Sequence, residues 1–265
     1  MGHQKNQHVS ERYSQNEIVN KKVVRKLVKE SGIREGDVVY DIGAGTGNIT
    51  AALLDKGVRV FAVEKDGRRC SKLERRFAPE SRVKVVRTDF LDIDLSSVGN
   101  YKVFANIPFF HTADIIKKLL FNKAPPIDCY LVVQREAAEK YVGIPADTLV
   151  SLLIKPLFWV DILYHFRRND FFPVPSVDIV LVQFERRRYS LLSEEQYPMY
   201  REFIMNCRER TDRPVKQVLK EYFSYLQIKH MFRLLRIDYY ARPTELRFRQ
   251  YVGLFQFYSR QFERK

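Results

Sequence analysis

The sequence predicts an α/β chain, a Rossmann-like domain with helices on both faces of a mostly parallel sheet, followed by a small basic helical domain. Three observations carry this. Between residues 38 and 142, strand-like apolar runs alternate with helical patterns, the signature of βα units. The first of those strands runs into a glycine-rich turn, Asp41-Ile42-Gly43-Ala44-Gly45-Thr46-Gly47, that opens a helix. Beyond about residue 190 the strand pattern stops and only helical periodicity remains. The expected division is residues 1–188 and 189–265.

Taken in order, residues 17–31 place Ile18, Val23, Val24, Leu27 and Val28 near helical spacing with basic residues opposite, and Gly32 is a stop signal. Strands are expected at 38–43, 58–64, 83–89, 101–108 and 128–134, with helices at 46–57, 66–77, 111–121 and 135–142. Two more strands, 157–166 and 177–185, flank a loop at 167–176 whose two prolines predict irregular structure. Helical patterns follow at 194–208, 213–224, 228–236 and 245–261.

The chain of 265 residues carries a formal charge of +14, and residues 181–265 hold 18 Lys+Arg against 10 Asp+Glu. Such an excess points to a polyanionic partner, of which nucleic acid is the commonest. No run approaches the roughly 20 apolar residues of a membrane span, and the polar N-terminus predicts no secretory signal. Cys70, Cys129 and Cys207 are far apart and form no metal-binding pair, so buried, reduced thiols are expected and no metal site.

Glycines at a strand-to-helix turn let the backbone approach a ligand, and the helix N-terminal amides then face it. Glu64 ends the next strand, 19 residues after Gly45, where a carboxylate accepts the hydroxyls of a ribose. Asp89 and Phe90 follow the third strand, placed for an adenine amine and its ring. Together these read as an adenosine-containing cofactor site.

Asn106-Ile107-Pro108-Phe109 closes the fourth strand. An adenine N6 amine is a poor nucleophile because its lone pair is delocalised into the ring. The Asn106 side-chain oxygen and the Ile107 carbonyl would accept its two hydrogens and aim the lone pair at a methyl donor. Pro108 fixes the carbonyl's direction, and Phe109 offers a stacking face worth roughly 1–3 kcal/mol. Positioning supplies the effect, so a strong general base is unnecessary and His111 is read as a helix-start or RNA-contacting residue.

These motifs, in order from Ser14-Gln15-Asn16 to Phe171-Phe172-Pro173-Val174-Pro175-Ser176-Val177, resemble the erythromycin-resistance (Erm) rRNA adenine N6-methyltransferases and their small-subunit dimethyltransferase relatives. The resemblance spans residues 14–185. It implies a seven-stranded Rossmann-like fold and S-adenosylmethionine bound by Asn16, Ile18, Gly43, Gly45, Glu64, Asp89, Phe90 and Asn106. It also implies a flipped target adenine between Phe109 and Phe171. Phe172 and Trp159, as large aromatics, are expected in the core. The implied substrate is one adenine of large-subunit rRNA, reached before the ribosome is fully assembled. The implied consequence is resistance to macrolides, lincosamides and streptogramin B. A cytoplasmic monomer with no membrane partner is the expected default. Phe109 departs from the tyrosine of many relatives. RNA phosphates would meet Arg12, Lys21, Lys22, Arg25, Lys26, Arg135, Arg167, Arg168 and Arg186 to Arg188. Two alternatives stay open: a small-subunit dimethyltransferase, and a non-catalytic nucleic-acid-binding protein on the same scaffold.

Overall fold

A computed structural model describes residues 16–95 and 98–261; Arg12, Ser14 and Gln15 lie outside the described residues. In chain order the elements are β1 (Glu17–Ile18), α1 (Lys21–Glu30), β2 (Val38–Ile42), α2 (Asn48–Leu54), β3 (Arg59–Glu64), α3 (Gly67–Phe77) and β4 (Val83–Arg87). Then come β5 (Lys102–Asn106), α4 (Thr112–Leu120), β6 (Asp128–Gln134), α5 (Arg135–Val142), α6 (Leu149–Ile154), β7 (Phe158–His165), β8 (Phe171–Phe172) and β9 (Ile179–Arg186). The helical region holds α7 (Gln196–Glu209), α8 (Val215–Leu219), α9 (Tyr225–Leu235) and α10 (Phe248–Ser259).

Seven strands form one sheet in the order β4-β3-β2-β5-β6-β9-β7. The pairs from β4 through β6 are parallel, and β9 runs antiparallel to β6. Central β6 is buried at every residue except Gln134, as a strand covered on both faces requires. The chain builds outward from β2 through β3 to β4, then returns to β5 on β2's other side. That reversal opens a crevice beyond the carboxyl ends of β2 and β5, where doubly wound sheets bind ligands.

Two expectations fail around this crevice, for one reason. The helix expected from residue 17 starts at Lys21, and the proline loop contains a strand: β1 and β8 pair antiparallel, Ile18 opposite Phe171. Asp170 dictates the change. Its carbonyl accepts the Val19 N–H at 2.8 Å, and its carboxylate accepts the Asn20 amide at 2.7 Å. Asn20 in turn caps α1 through the Val23 N–H. Pro173 and Pro175 lie just past the pair, so they break regularity only where they sit.

The described chain divides into two compact units, one through Ala138 and over Val160–Arg186, the other over Glu139–Trp159 and from Arg187 onward. The expected boundary at 188 and 189 is not where the division falls. Helix α6, whose short apolar run L-V-S-L-L-I has ambiguous periodicity, belongs with the helices: Leu152 packs in the core of Tyr200, Phe203, Ile204 and Phe255. The Tyr200 hydroxyl donates to the Leu152 carbonyl at 2.9 Å, satisfying an otherwise stranded polar group. All three cysteines are buried and free. Among the described residues no helix is long and apolar enough to cross a membrane.

A polar network ties the end of α1 to the sheet. The Tyr130 hydroxyl accepts the Gly32 N–H at 2.7 Å and donates to Asp128 at 2.5 Å, and Gln183 donates to the same carboxylate at 2.9 Å. Tyr130→Phe strands the Gly32 donor and one buried oxygen of Asp128. The expected loss, measured by urea unfolding, is about 1–3 kcal/mol.

Candidate active site

Four consecutive parallel strands deliver their carboxyl ends to the crevice. After β2 the chain turns through Gly43 (φ 71°) and Gly45 (φ 54°), left-handed conformations that a side chain resists. The Gly43 and Ala44 amides bond the Val63 carbonyl at 2.8 and 3.0 Å, which locks the turn to β3. Glu64, buried at the end of β3, accepts the Gly45 N–H at 3.0 Å and the Asp66 N–H at 2.9 Å. A carboxylate has about four acceptor sites, so two backbone bonds leave capacity for ligand hydroxyls.

The crevice has two lobes that share Gly43 and Pro108. The first, about 560 Å³, is walled by Asn16, Ile18, Asp41, Gly45, Asn106 and Phe109. The second, about 410 Å³, is walled by Glu64, Asp89, Phe90, His111 and Ile115. Asp89 accepts the Leu91 N–H at 3.0 Å and lines the second lobe. Phe90 is buried with its ring on the second lobe. His111 sits at the start of α4 and lines the second lobe, whereas Asn106 lines the first.

Asn106 is held from one side only. Its Nδ2 donates to the Asn16 carbonyl at 2.7 Å, while its Oδ1 is buried with no hydrogen-bond partner among the described residues. A buried acceptor left unpaired costs about 1–3 kcal/mol, a cost that a ligand N–H would recover. Asn16 is itself fixed, its own amide donating to the Pro173 carbonyl at 2.6 Å. The N-terminal segment and the F-F-P-V-P-S-V loop therefore hold Asn106 in one orientation. Beside this point a third cavity, sharing Asn16 and Phe109 with the first lobe, is lined by Phe110, Gln134 and Ser176.

Sequence reasoning gave Asp41 no role, yet it carries the second orphaned oxygen. Thr50 donates to its Oδ2 at 2.6 Å, and its Oδ1 is buried without a partner against the first lobe. Its position as the first acidic residue of the glycine motif was the available signal. The Glu17–Arg69 ion pair, 3.0 Å, also lines that lobe, and nothing in the sequence links those two residues.

The aromatic expectations need correcting. Phe171 is 2% exposed, packed edge-on against Phe166 beneath the β1–β8 pair, so its ring faces the core and not an incoming base. Pairing with β1 fixes the alternation and turns Phe172 outward, 70% exposed. Trp159, also expected in the core, is 55% exposed. Of the basic candidates in the sheet unit, Arg25 pairs with Asp55, and Arg135 and Arg168 share Asp178. Lys21 and Lys22 are exposed.

Two measurements follow from this geometry. Phe171→Ala is expected to cost about 3–5 kcal/mol of stability, and Phe172→Ala within about 0.5 kcal/mol, by chemical denaturation. Burial drives the Asp41 carboxyl from 3.8 up to about 7, with the Thr50 bonds opposing and Glu64 adding. The unfolded chain releases this proton near pH 4 and the folded chain holds it to about pH 7. The group thus opposes folding increasingly across that window, by on the order of 4 kcal/mol at its upper end. Asp41→Asn should melt higher than the parent above pH 7, with the difference vanishing below pH 4.

The family model described as ribosomal RNA adenine dimethylase matches residues 6–260. A Chlorobium phaeobacteroides protein named ribosomal RNA small subunit methyltransferase A is 30% identical over 254 residues, 94% of this chain and 93% of that protein. A Bacillus licheniformis protein named rRNA adenine N-6-methyltransferase is 29% identical over 220 residues, 83% and 76%. The crystal structure of the 23S rRNA methyltransferase ErmE shares the fold with a TM-score of 0.84 at 22% identity, covering 91% of this chain and 99% of that one. The glycine turn, the buried Glu64 and the two orphaned oxygens fit an amino-acid-bearing nucleoside. The chain belongs to the ribosomal RNA adenine dimethylase family, enzymes that use S-adenosylmethionine to methylate adenine in rRNA.

Proposed function

We propose that this chain methylates N6 of one adenine in large-subunit rRNA, as resistance-type members of the family do, with Asn106 as the residue that presents the amine. The observation that carries this is the one-sided clamp on Asn106. With Nδ2 committed to the Asn16 carbonyl, the orphaned Oδ1 is left as the open acceptor of a residue that lines the first lobe. That is the group a target amine needs, and the adjoining Ile107 carbonyl is the second acceptor.

Asn16, Ile18, Gly43, Gly45, Glu64, Asp89 and Phe90 would hold S-adenosylmethionine across the two lobes. When bound, it supplies a methyl group already activated by the sulfonium charge. Asp41, whose carboxyl burial pushes up to about 7, also lines the first lobe. Phe109, half-buried between the first lobe and the third cavity, would stack on the extruded base. Phe171 supports that site from below by holding β1 in place, and the base does not meet it. Asn106 and Ile107 accept the two N6 hydrogens, and the excess proton leaves after transfer, so no side chain need remove it in the transition state. The basic helical unit would add phosphate contacts.

Assignment to the large subunit, with macrolide, lincosamide and streptogramin B resistance as its consequence, is supported by the N-I-P-F tetrapeptide. The small-subunit reading is supported by the longer match to the Chlorobium protein. Tritiated methyl transfer to separated ribosomal RNAs, with primer extension to map the stop, distinguishes them. A stop in 23S rRNA is expected, with Asn106→Ala reducing transfer about 10²–10³-fold. Label confined to 16S rRNA would assign the chain to the small subunit.

A further inference from the structure

The sequence contains a single tryptophan, and Trp159 is 55% exposed at the start of β7. Large aromatic residues are highly buried on average, so a half-exposed tryptophan calls for a partner. One face of the indole is already covered. The Arg187 guanidinium carbon lies 3.4 Å from the ring centroid, the separation of two flat groups in contact. Arg187 is fixed there at two points: its Nε donates to the Lys155 carbonyl at 2.7 Å and its backbone N–H to the Leu157 carbonyl at 2.8 Å. With one face occupied by a fixed guanidinium, the remaining exposure of Trp159 belongs to its other face and edge.

The neighbouring residues repeat the pattern. Arg188 stands over the ring of Tyr189, 5.6 Å from its centroid, and Tyr189 is 78% exposed. Among the described residues neither Arg187 nor Arg188 forms an ion pair, whereas Arg135, Arg168 and Arg210 do. Aromatic faces alternating with unneutralised guanidinium groups are what a single-stranded nucleic acid needs, bases to stack and phosphates to pair. An acidic protein surface would use the cations and leave the open indole face without purpose.

We infer that Trp159, Arg187, Arg188 and Tyr189 form a stacking platform for an unpaired base of RNA, in the second compact unit and separate from the residues of the catalytic crevice. The identity of the occupant rests on the RNA-modifying function; the platform itself rests on the geometry above. It recognises RNA without base-edge reading, so it contributes affinity and placement and not sequence choice.

Because Trp159 is the sole tryptophan, its emission reports on this site directly. The full-length protein is titrated with a single-stranded oligoadenylate on the order of ten nucleotides long, and separately with inorganic polyphosphate and poly-glutamate. Binding is followed in parallel by anisotropy of labelled RNA. The oligoadenylate is expected to quench the emission on binding, and polyphosphate, which has no bases, to bind without comparable quenching. Trp159→Ala should weaken RNA binding roughly tenfold, and Trp159→Phe should retain most of it. RNA binding with unchanged emission and unchanged affinity in Trp159→Ala would overturn the inference, as would quenching by poly-glutamate equal to that by RNA. Quenching that persists in a protein with no methyl-transfer activity would overturn the catalytic reading and leave the platform standing.

Discussion

The hydrogen bond from the Asn106 amide to the Asn16 carbonyl is the constraint on which the site depends. An amide side chain flips at little cost in water and presents oxygen and nitrogen interchangeably. Here the nitrogen is committed and the oxygen is left without a partner among the described residues. The commitment is local in its atoms but long-range in its cause, because Asn16 is ninety residues from Asn106. It is held by a backbone carbonyl of Pro173 and by the adjoining two-residue pair of β1 with β8. The loop after β7 therefore does not need to touch a substrate to matter. It holds the segment that orients the amide.

The sheet explains why these parts meet. Strands β2, β3, β4 and β5 are parallel neighbours, so the residues at their carboxyl ends share one edge. The strand order reverses between β2 and β5, and the gap left there is the first lobe. Two buried, unpartnered oxygens belong to Asp41 and Asn106, residues that line that lobe. A folded protein seldom leaves such groups unsatisfied unless something else completes them. Under the proposed function, a bound cofactor and target amine would recover that cost.

Much of this was legible in the sequence because strand-end residues announce themselves. Gly43, Glu64, Asp89 and Asn106 each follow an apolar run, and their placement needs only the alternation of strands and helices. What was not legible depends on contacts between distant segments. Residues 17 and 18 carry helical spacing, and only the partner strand at 171 and 172 makes them extended. The same pairing buries Phe171 and exposes Phe172, a one-residue alternation that composition does not fix. The exposure of Trp159 departs from average tryptophan burial, because the sequence does not reveal that Arg187 covers one face. Helix α6 was hidden by its brevity and by the helices it packs on, which lie forty or more residues away.

The central claim is that Asn106 Oδ1, fixed by Asn16, receives the target amine. A crystal structure of the protein with a non-reactive S-adenosylmethionine analogue and an RNA carrying the target adenine tests it most directly. The account predicts the adenine N6 within about 3 Å of both Asn106 Oδ1 and the Ile107 carbonyl, with the Asn106–Asn16 bond intact. A base whose N6 edge faces away from Asn106, or an Asn106 amide that has left Asn16 to donate to the base, would contradict it.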